Sequence, residues 1–132
     1  MMVSAVSNNA KDNLFSKFPK WKSIDSASIA ALTGRTLTYD EQGNEIWVEG
    51  DAKKVAALKK AARKIKILIV DESSMLSNEI MNILEKDFCI NATIIYVGDK
   101  RQVRPVEKEY NAVTPFSERS VDYSIELLER VR

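Results

Sequence analysis

Ile67-Leu68-Ile69-Val70 is an apolar run that stops abruptly at two acids, Asp71 and Glu72. With no polar alternation, residues 65–70 predict a central parallel strand covered on both faces, and residues 92–97 predict the next buried strand. The half-apolar segment 2–6 predicts a strand ended by the turn residues Ser7-Asn8-Asn9. From residue 10 to 18, Leu14, Phe15 and Phe18 recur at helical spacing until Pro19 stops the pattern, which predicts a helix on the sheet. Residues 24–34 read as a short helix with Gly34 as its C-cap. Residues 37–48 alternate around Glu41-Gln42-Gly43-Asn44, the pattern of a surface hairpin outside the main sheet. Over 51–64, Val55, Leu58, Ala61 and Ala62 recur three or four apart, while Lys53, Lys54, Lys59, Lys60 and Arg63 lie on the other side. That is an amphipathic helix, and its charge run reads as a solvated face with no DNA contact assigned. Ser77 is placed to cap a helix whose Ile80, Ile83, Leu84 and Phe88 share one side, with Glu79 at the positive end of its dipole. The predicted fold is one α/β domain: a mostly parallel sheet flanked by helices, with 35–64 as a hairpin-and-helix insertion.

Composition narrows the chemistry. A chain of 132 residues, 45% hydrophobic, suffices for one core. Lysine plus arginine (20) nearly balance aspartate plus glutamate (19), so any nucleic-acid footprint must be local. The absence of histidine excludes a Ser-His-Asp triad, a Cys-His nucleophile and the common zinc sites. Cys89, between Phe88 and Ile90, reads as a small core residue. No apolar run approaches the roughly 20 residues of a membrane span, and no signal-peptide pattern opens the chain, so a soluble cytoplasmic protein without membrane contact is expected. The four glycines precede Arg35, Asn44, Asp51 and Asp99, so the chain has no Gly-Lys-Ser/Thr and hence no Gly-rich phosphate cradle.

The carboxylates at the tip of the 65–70 strand occupy the place where parallel sheets bind ligands. In nucleoside-triphosphate hydrolysis one acid holds magnesium through water while its neighbour accepts a proton from the attacking water, and Asp71 and Glu72 suit those tasks. Gly98-Asp99-Lys100-Arg101-Gln102-Val103-Arg104-Pro105-Val106 leaves the next strand at the same edge, where the Gln102 amide can meet a phosphate or a water. Plainer roles compete. Acids are common at strand tips, Ser7 and Asn8 also suit a helix cap, and Lys100, Arg101 and Arg104 also suit a solvated loop. Tyr39 and Trp47 could stack on bases or pack the hairpin down, and packing is the favoured role.

Asp-Glu-Ser-Ser-Met at 71–75 followed by Gly-Asp-Lys-Arg-Gln-Val-Arg-Pro-Val at 98–106 resembles motifs II and III of the superfamily 1B DNA helicases, the Dda and RecD-like group. Residues 5–10 are similar to that family's motif Ia, with Asn9 in place of its lysine. Residues 28–32 resemble its Thr-Ile-x-x-Leu segment, 110–116 its stretch ending in Ser-Pro-Phe, and 127–132 the start of motif IV. The resemblance implies that residues 1–132 form a partial first RecA-like domain, motif Ia through the start of motif IV, with the family's first strand and P-loop missing. It implies a 5′-to-3′ ATP-dependent motor on single-stranded DNA, with ATP and Mg2+ as cofactors. Asp71 would coordinate magnesium, Glu72 activate water, Gln102 sense the γ-phosphate and Arg132 contact it. DNA would lie against Ser7, Asn8, Asn9, Ser28 and Ile29. Without the P-loop the chain is expected to be inactive alone, with the missing helicase portions as partners in trans. Two alternatives stand beside this: a non-catalytic single-stranded DNA-binding or split-protein module, and a receiver-like signalling domain, which fits the position of the acid pair poorly.

Overall fold

The computed structural model describes residues 1–18, 24–98 and 122–125. Four strands, β1 (Met2–Ala5), β2 (Asp25–Ser28), β5 (Ile67–Asp71) and β6 (Thr93–Tyr96), form one sheet in the order β2-β1-β5-β6. Every pairing in it is parallel. Strands β3 (Arg35–Tyr39) and β4 (Glu45–Glu49) make a separate antiparallel hairpin, as their alternation and turn chemistry predict. Asp40 closes that turn by accepting the Gln42 and Asn44 amides on Oδ1, each at 2.9 Å. Trp47 anchors the hairpin in the core and Tyr39 stays in solvent, so the two aromatics divide between packing and exposure.

Among the described residues four α-helices accompany the strands: α1 (Asn8–Ser16), α2 (Ile29–Thr33), α3 (Ala52–Ala62) and α4 (Asn78–Ile83). A π-helical turn at Leu84–Phe88 extends α4. Each has a side-chain N-cap one residue before it: Ser7 accepts from Ala10 N, Ser28 from Ala31 N, Asp51 from Lys54 N and Ser77 from Ile80 N. These caps satisfy amides that the first helical turn leaves without partners. Gly34 closes α2 in the left-handed conformation, its N–H on Ala30 O at 2.9 Å.

The core gathers Ile29 and Leu32 of α2, Val55 and Ala62 of α3, Leu68 and Val70 of β5, and Ile80, Met81, Leu84 and Phe88 around α4. Cys89 is buried beside them, and desolvation pushes its thiol up to about 11. It is a core residue, as its neighbours suggest.

Three expectations need correction. Residues 25–28 are not helical: Asp25-Ser26-Ala27-Ser28 pairs with β1 as an edge strand, and the helix begins only after Ser28 supplies its cap. Local propensity yields there to ladder hydrogen bonds that only the tertiary structure offers. β5 and β6 are not covered on both faces. Leu68 and Val70 enter the core, whereas Ile67 and Ile95 remain 41% and 46% exposed, because α2, α3 and the 78–88 segment feed one core while α1 packs across β1 and β2. Finally, α1 starts two residues before the predicted boundary and has no fully buried residue, so its apolar side only skims the sheet.

Candidate functional site

The chain leaves β1 through α1 to reach β2 on one side, and leaves β5 through the 73–88 helical segment to reach β6 on the other. The order of connections therefore reverses between β1 and β5, and their C-terminal ends mark the place where sheets of this topology open a ligand crevice. Ser7 stands just beyond the end of β1, and Asp71-Glu72 stand at the tip of β5. Ser7 Oγ donates to Glu72 Oε1 at 3.2 Å while accepting the Ala10 amide at 3.2 Å. One hydroxyl thus ties the start of α1 to the carboxylate at the tip of the neighbouring strand, 65 residues away in sequence.

The backbone around Glu72 is held from several directions. Glu72 has φ 55° and ψ 31°, the one non-glycine with positive φ among the described residues. Such a conformation costs a non-glycine residue about 1–2 kcal/mol and persists where surrounding contacts over-determine it. Here those contacts are explicit. Asp71 Oδ1 accepts the Glu72 amide at 2.8 Å, Ser73 Oγ donates to Val70 O at 2.7 Å, and Ser73 N donates to Val97 O at 2.9 Å. Ser73 and Ser74 are buried in a short 3-10 turn directly behind the acids. Gly98 backs onto that turn so closely that a Cβ on it would sit 2.8 Å from Ser74 N. The loops that leave β5 and β6 are therefore in backbone contact, with no room for a side chain at position 98.

Of the sequence candidates, Asp71, Glu72 and Ser7 converge at this crevice. Asn8 and Asn9 lie in the exposed first turn of α1, beside Ser7. Ser28 is half-buried at the matching end of β2, where its hydroxyl is the α2 cap. Ile29 departs from its expected role: its side chain is fully buried in the core, so a ligand could meet position 29 only through backbone. Gln102 and Arg132 lie outside the described residues. Sequence reasoning missed the Ser7–Glu72 hydrogen bond and the left-handed Glu72, and no local pattern signals either. The close approach of Gly98 had a signal in the glycine that ends an apolar strand.

Among the described residues no group of three or more acidic, histidine or cysteine side chains could by itself hold a metal. Two adjacent carboxylates at a strand tip do fit magnesium, a hard cation that keeps several waters and takes remaining ligands from substrate phosphates. No helix among the described residues is long and apolar enough to cross a membrane.

Comparison with known proteins agrees with this geometry. Residues 2–130 match the family described as AAA domain. The ATP-dependent DNA helicase dda of Enterobacteria phage T4 is 30% identical over 130 residues, which cover 97% of this chain and 27% of that helicase. The chain thus spans about a quarter of the length of that relative. With a parallel α/β sheet, an acid-tipped strand beside its switch point and a family match over nearly every residue, the chain belongs to the AAA domain family and has a helicase-like, RecA-type fold of the P-loop NTPase class.

Proposed function

We propose that the chain is a motor-domain component of a 5′-to-3′ DNA helicase of the superfamily 1B type, contributing the magnesium-side and water-activating carboxylates and a single-stranded DNA contact. The observation that carries this reading is the Ser7–Glu72 hydrogen bond, which joins a candidate DNA-facing helix start to a candidate catalytic carboxylate across the switch point. Asp71 would hold Mg2+ through water, since its Oδ1 is already engaged by the Glu72 amide and a hydrated ion needs no second protein ligand. Bound magnesium would neutralise charge on the β- and γ-phosphates. Glu72 would accept the proton of the attacking water, with Ser7 holding one carboxylate oxygen and leaving the other to act. Gln102 would sense the γ-phosphate and Arg132 contact it. Ser7, Asn8, Asn9 and Ser28 would line the DNA side.

Phosphoryl transfer depends on preorganised donors around the phosphates, and these 132 residues contain no Gly-Lys-Ser/Thr. The chain alone is therefore proposed to bind single-stranded DNA without turning over ATP. That absence also favours the second reading, a non-catalytic single-stranded DNA-binding module. Fluorescence anisotropy with a single-stranded oligonucleotide, together with an ATPase assay with DNA and Mg2+, tests both parts. Binding weakened by Asn8→Ala and Ser28→Ala, with no multiple turnover, is the expected result. ATP turnover abolished by Glu72→Gln would overturn the inactivity, and a lack of binding at low salt would overturn the DNA role.

A further inference from the structure

α3 has one face that neither the core nor the crevice uses. Val55 and Ala62 are its buried positions, and Lys59 leans inward, its Nζ 5.7 Å from the centre of the Phe88 ring. At 3.6 residues per turn, Lys53 and Lys60 fall within about 20° of one another and opposite Val55 and Ala62. Both are exposed, as are Lys54 on one flank of the stripe and Arg63 at the helix C-cap. Ala56 and Ala57, also exposed, border the stripe on either side, so nothing bulky stands between the cations and a flat or convex partner. The helix carries no acid within its span, and Asp51 at its start is engaged as the cap. The two ion pairs among the described residues, Lys11–Asp12 and Arg35–Glu49, involve none of these lysines. In a chain of net charge +1, that is a segregation of charge and not an overall excess.

We propose that this face of α3 is a docking surface for the phosphate backbone of duplex DNA, separate from the crevice at Ser7 and Glu72. The two lysines stand about 10 Å apart along the helix at 1.5 Å per residue, and a duplex strand places one charge every 3.4 Å of axis, so the stripe spans roughly three phosphates. A straight, rigid row of cations suits a straight, rigid polyanion. The exposed positions offer lysine, arginine and alanine with no aromatic platform, which disfavours a flexible single strand that would be held by base stacking. A lipid surface is disfavoured because the apolar side that would enter it is committed to the core. Contact through phosphates alone would be independent of base sequence and steeply dependent on salt. The surface does not require the nucleotide chemistry proposed above.

The test compares two variants of equal charge change in the full chain: Lys53→Gln/Lys60→Gln on the stripe and Lys17→Gln/Lys86→Gln elsewhere. Glutamine and lysine have similar helix propensities, and circular dichroism verifies that both variants remain folded. Anisotropy is measured with a blunt duplex and with a single strand across a salt series. The expected result is weaker duplex binding for the stripe variant alone, with a log-log salt slope shallower by about 2, since each lost phosphate contact removes about 0.9. Single-strand binding should be unchanged, and Lys53→Arg/Lys60→Arg should restore the duplex slope. Equal losses in both variants would reduce the effect to net charge and overturn the proposal. So would no duplex binding by the unaltered protein at low salt, or an equal loss with single strands. Duplex binding that survives Asn8→Ala and Ser28→Ala in a protein that does not bind single strands would leave this surface standing while removing the single-strand reading.

Discussion

Gly98→Ala isolates the contact that joins the two candidate loops. An added Cβ would lie 2.8 Å from Ser74 N, 3.3 Å from Ser73 N and 3.4 Å from Ser74 Cβ. The nearest of these atoms is backbone, so no side-chain rotation relieves the overlap. Either the end of β6 lifts away, or the 3-10 turn moves and lengthens the 2.9 Å hydrogen bond from Ser73 N to Val97 O. Overpacking of this kind costs about 1–3 kcal/mol, and weakening that bond adds up to about 1 kcal/mol. Reduced entropy of the unfolded chain offsets about 0.4–1 kcal/mol. The net expectation is a loss of about 2 kcal/mol, which for a domain of this size lowers Tm by roughly 6–8 °C. Thermal unfolding monitored by circular dichroism and calorimetry at one protein concentration measures it. A Gly98→Ala variant that melts at or above the parent temperature would refute the backbone contact and, with it, the convergence of the two loops.

Three other single positions carry measurable outcomes. In a Ser7→Ala background, which already lacks the Ser7–Glu72 hydrogen bond, Glu72→Asn should raise stability by about 0.5–1 kcal/mol, because asparagine tolerates the left-handed conformation better than glutamate; a lower Tm there would show that Glu72 is not strained. Ser4 Oγ is buried without a hydrogen-bond partner, so Ser4→Ala should stabilise by about 1 kcal/mol in a denaturant titration, and destabilisation would reveal a partner for the hydroxyl. Cys89 should resist alkylation at pH 8 until the protein unfolds. Its folded thiol is raised from 9.0 to about 11, so stability is unaffected below pH 9 and falls between pH 9 and 11, as the unfolded chain loses a proton that the folded one retains. Cys89→Ala should remove that part of the alkaline decline, and an unchanged decline would place its cause elsewhere.

Periodicity and punctuation located the strong elements. The hairpin, α3 and the helix after Ser77 stand where alternation, turn residues and caps put them, because each of those signals acts within a few residues. β2 was hidden for the opposite reason. Asp25-Ser26-Ala27-Ser28 has little intrinsic preference for extended structure, and its strand exists because β1 offers an unpaired edge. The exposure of Ile67 and Ile95 was equally unreadable, since a continuous apolar run looks the same whether one or both faces are covered. At the site, Asp71 and Glu72 were legible as acids ending an apolar strand. The Ser7 hydroxyl was legible only as a cap.

The order of residues by itself determined that this chain forms an α/β domain with paired carboxylates at the end of a buried strand, that it contains no histidine chemistry, and that it has no Gly-Lys-Ser/Thr. Tertiary structure alone decided that Ser7 meets Glu72, that Glu72 turns left-handed between its neighbours' hydrogen bonds, and that Gly98 leaves no space above Ser74. The reason is range. Propensity, capping and hydrophobic period act over one or two turns of chain, whereas the crevice is assembled by parallel pairing of strands about 65 residues apart, and only the folded sheet brings them within a hydrogen bond.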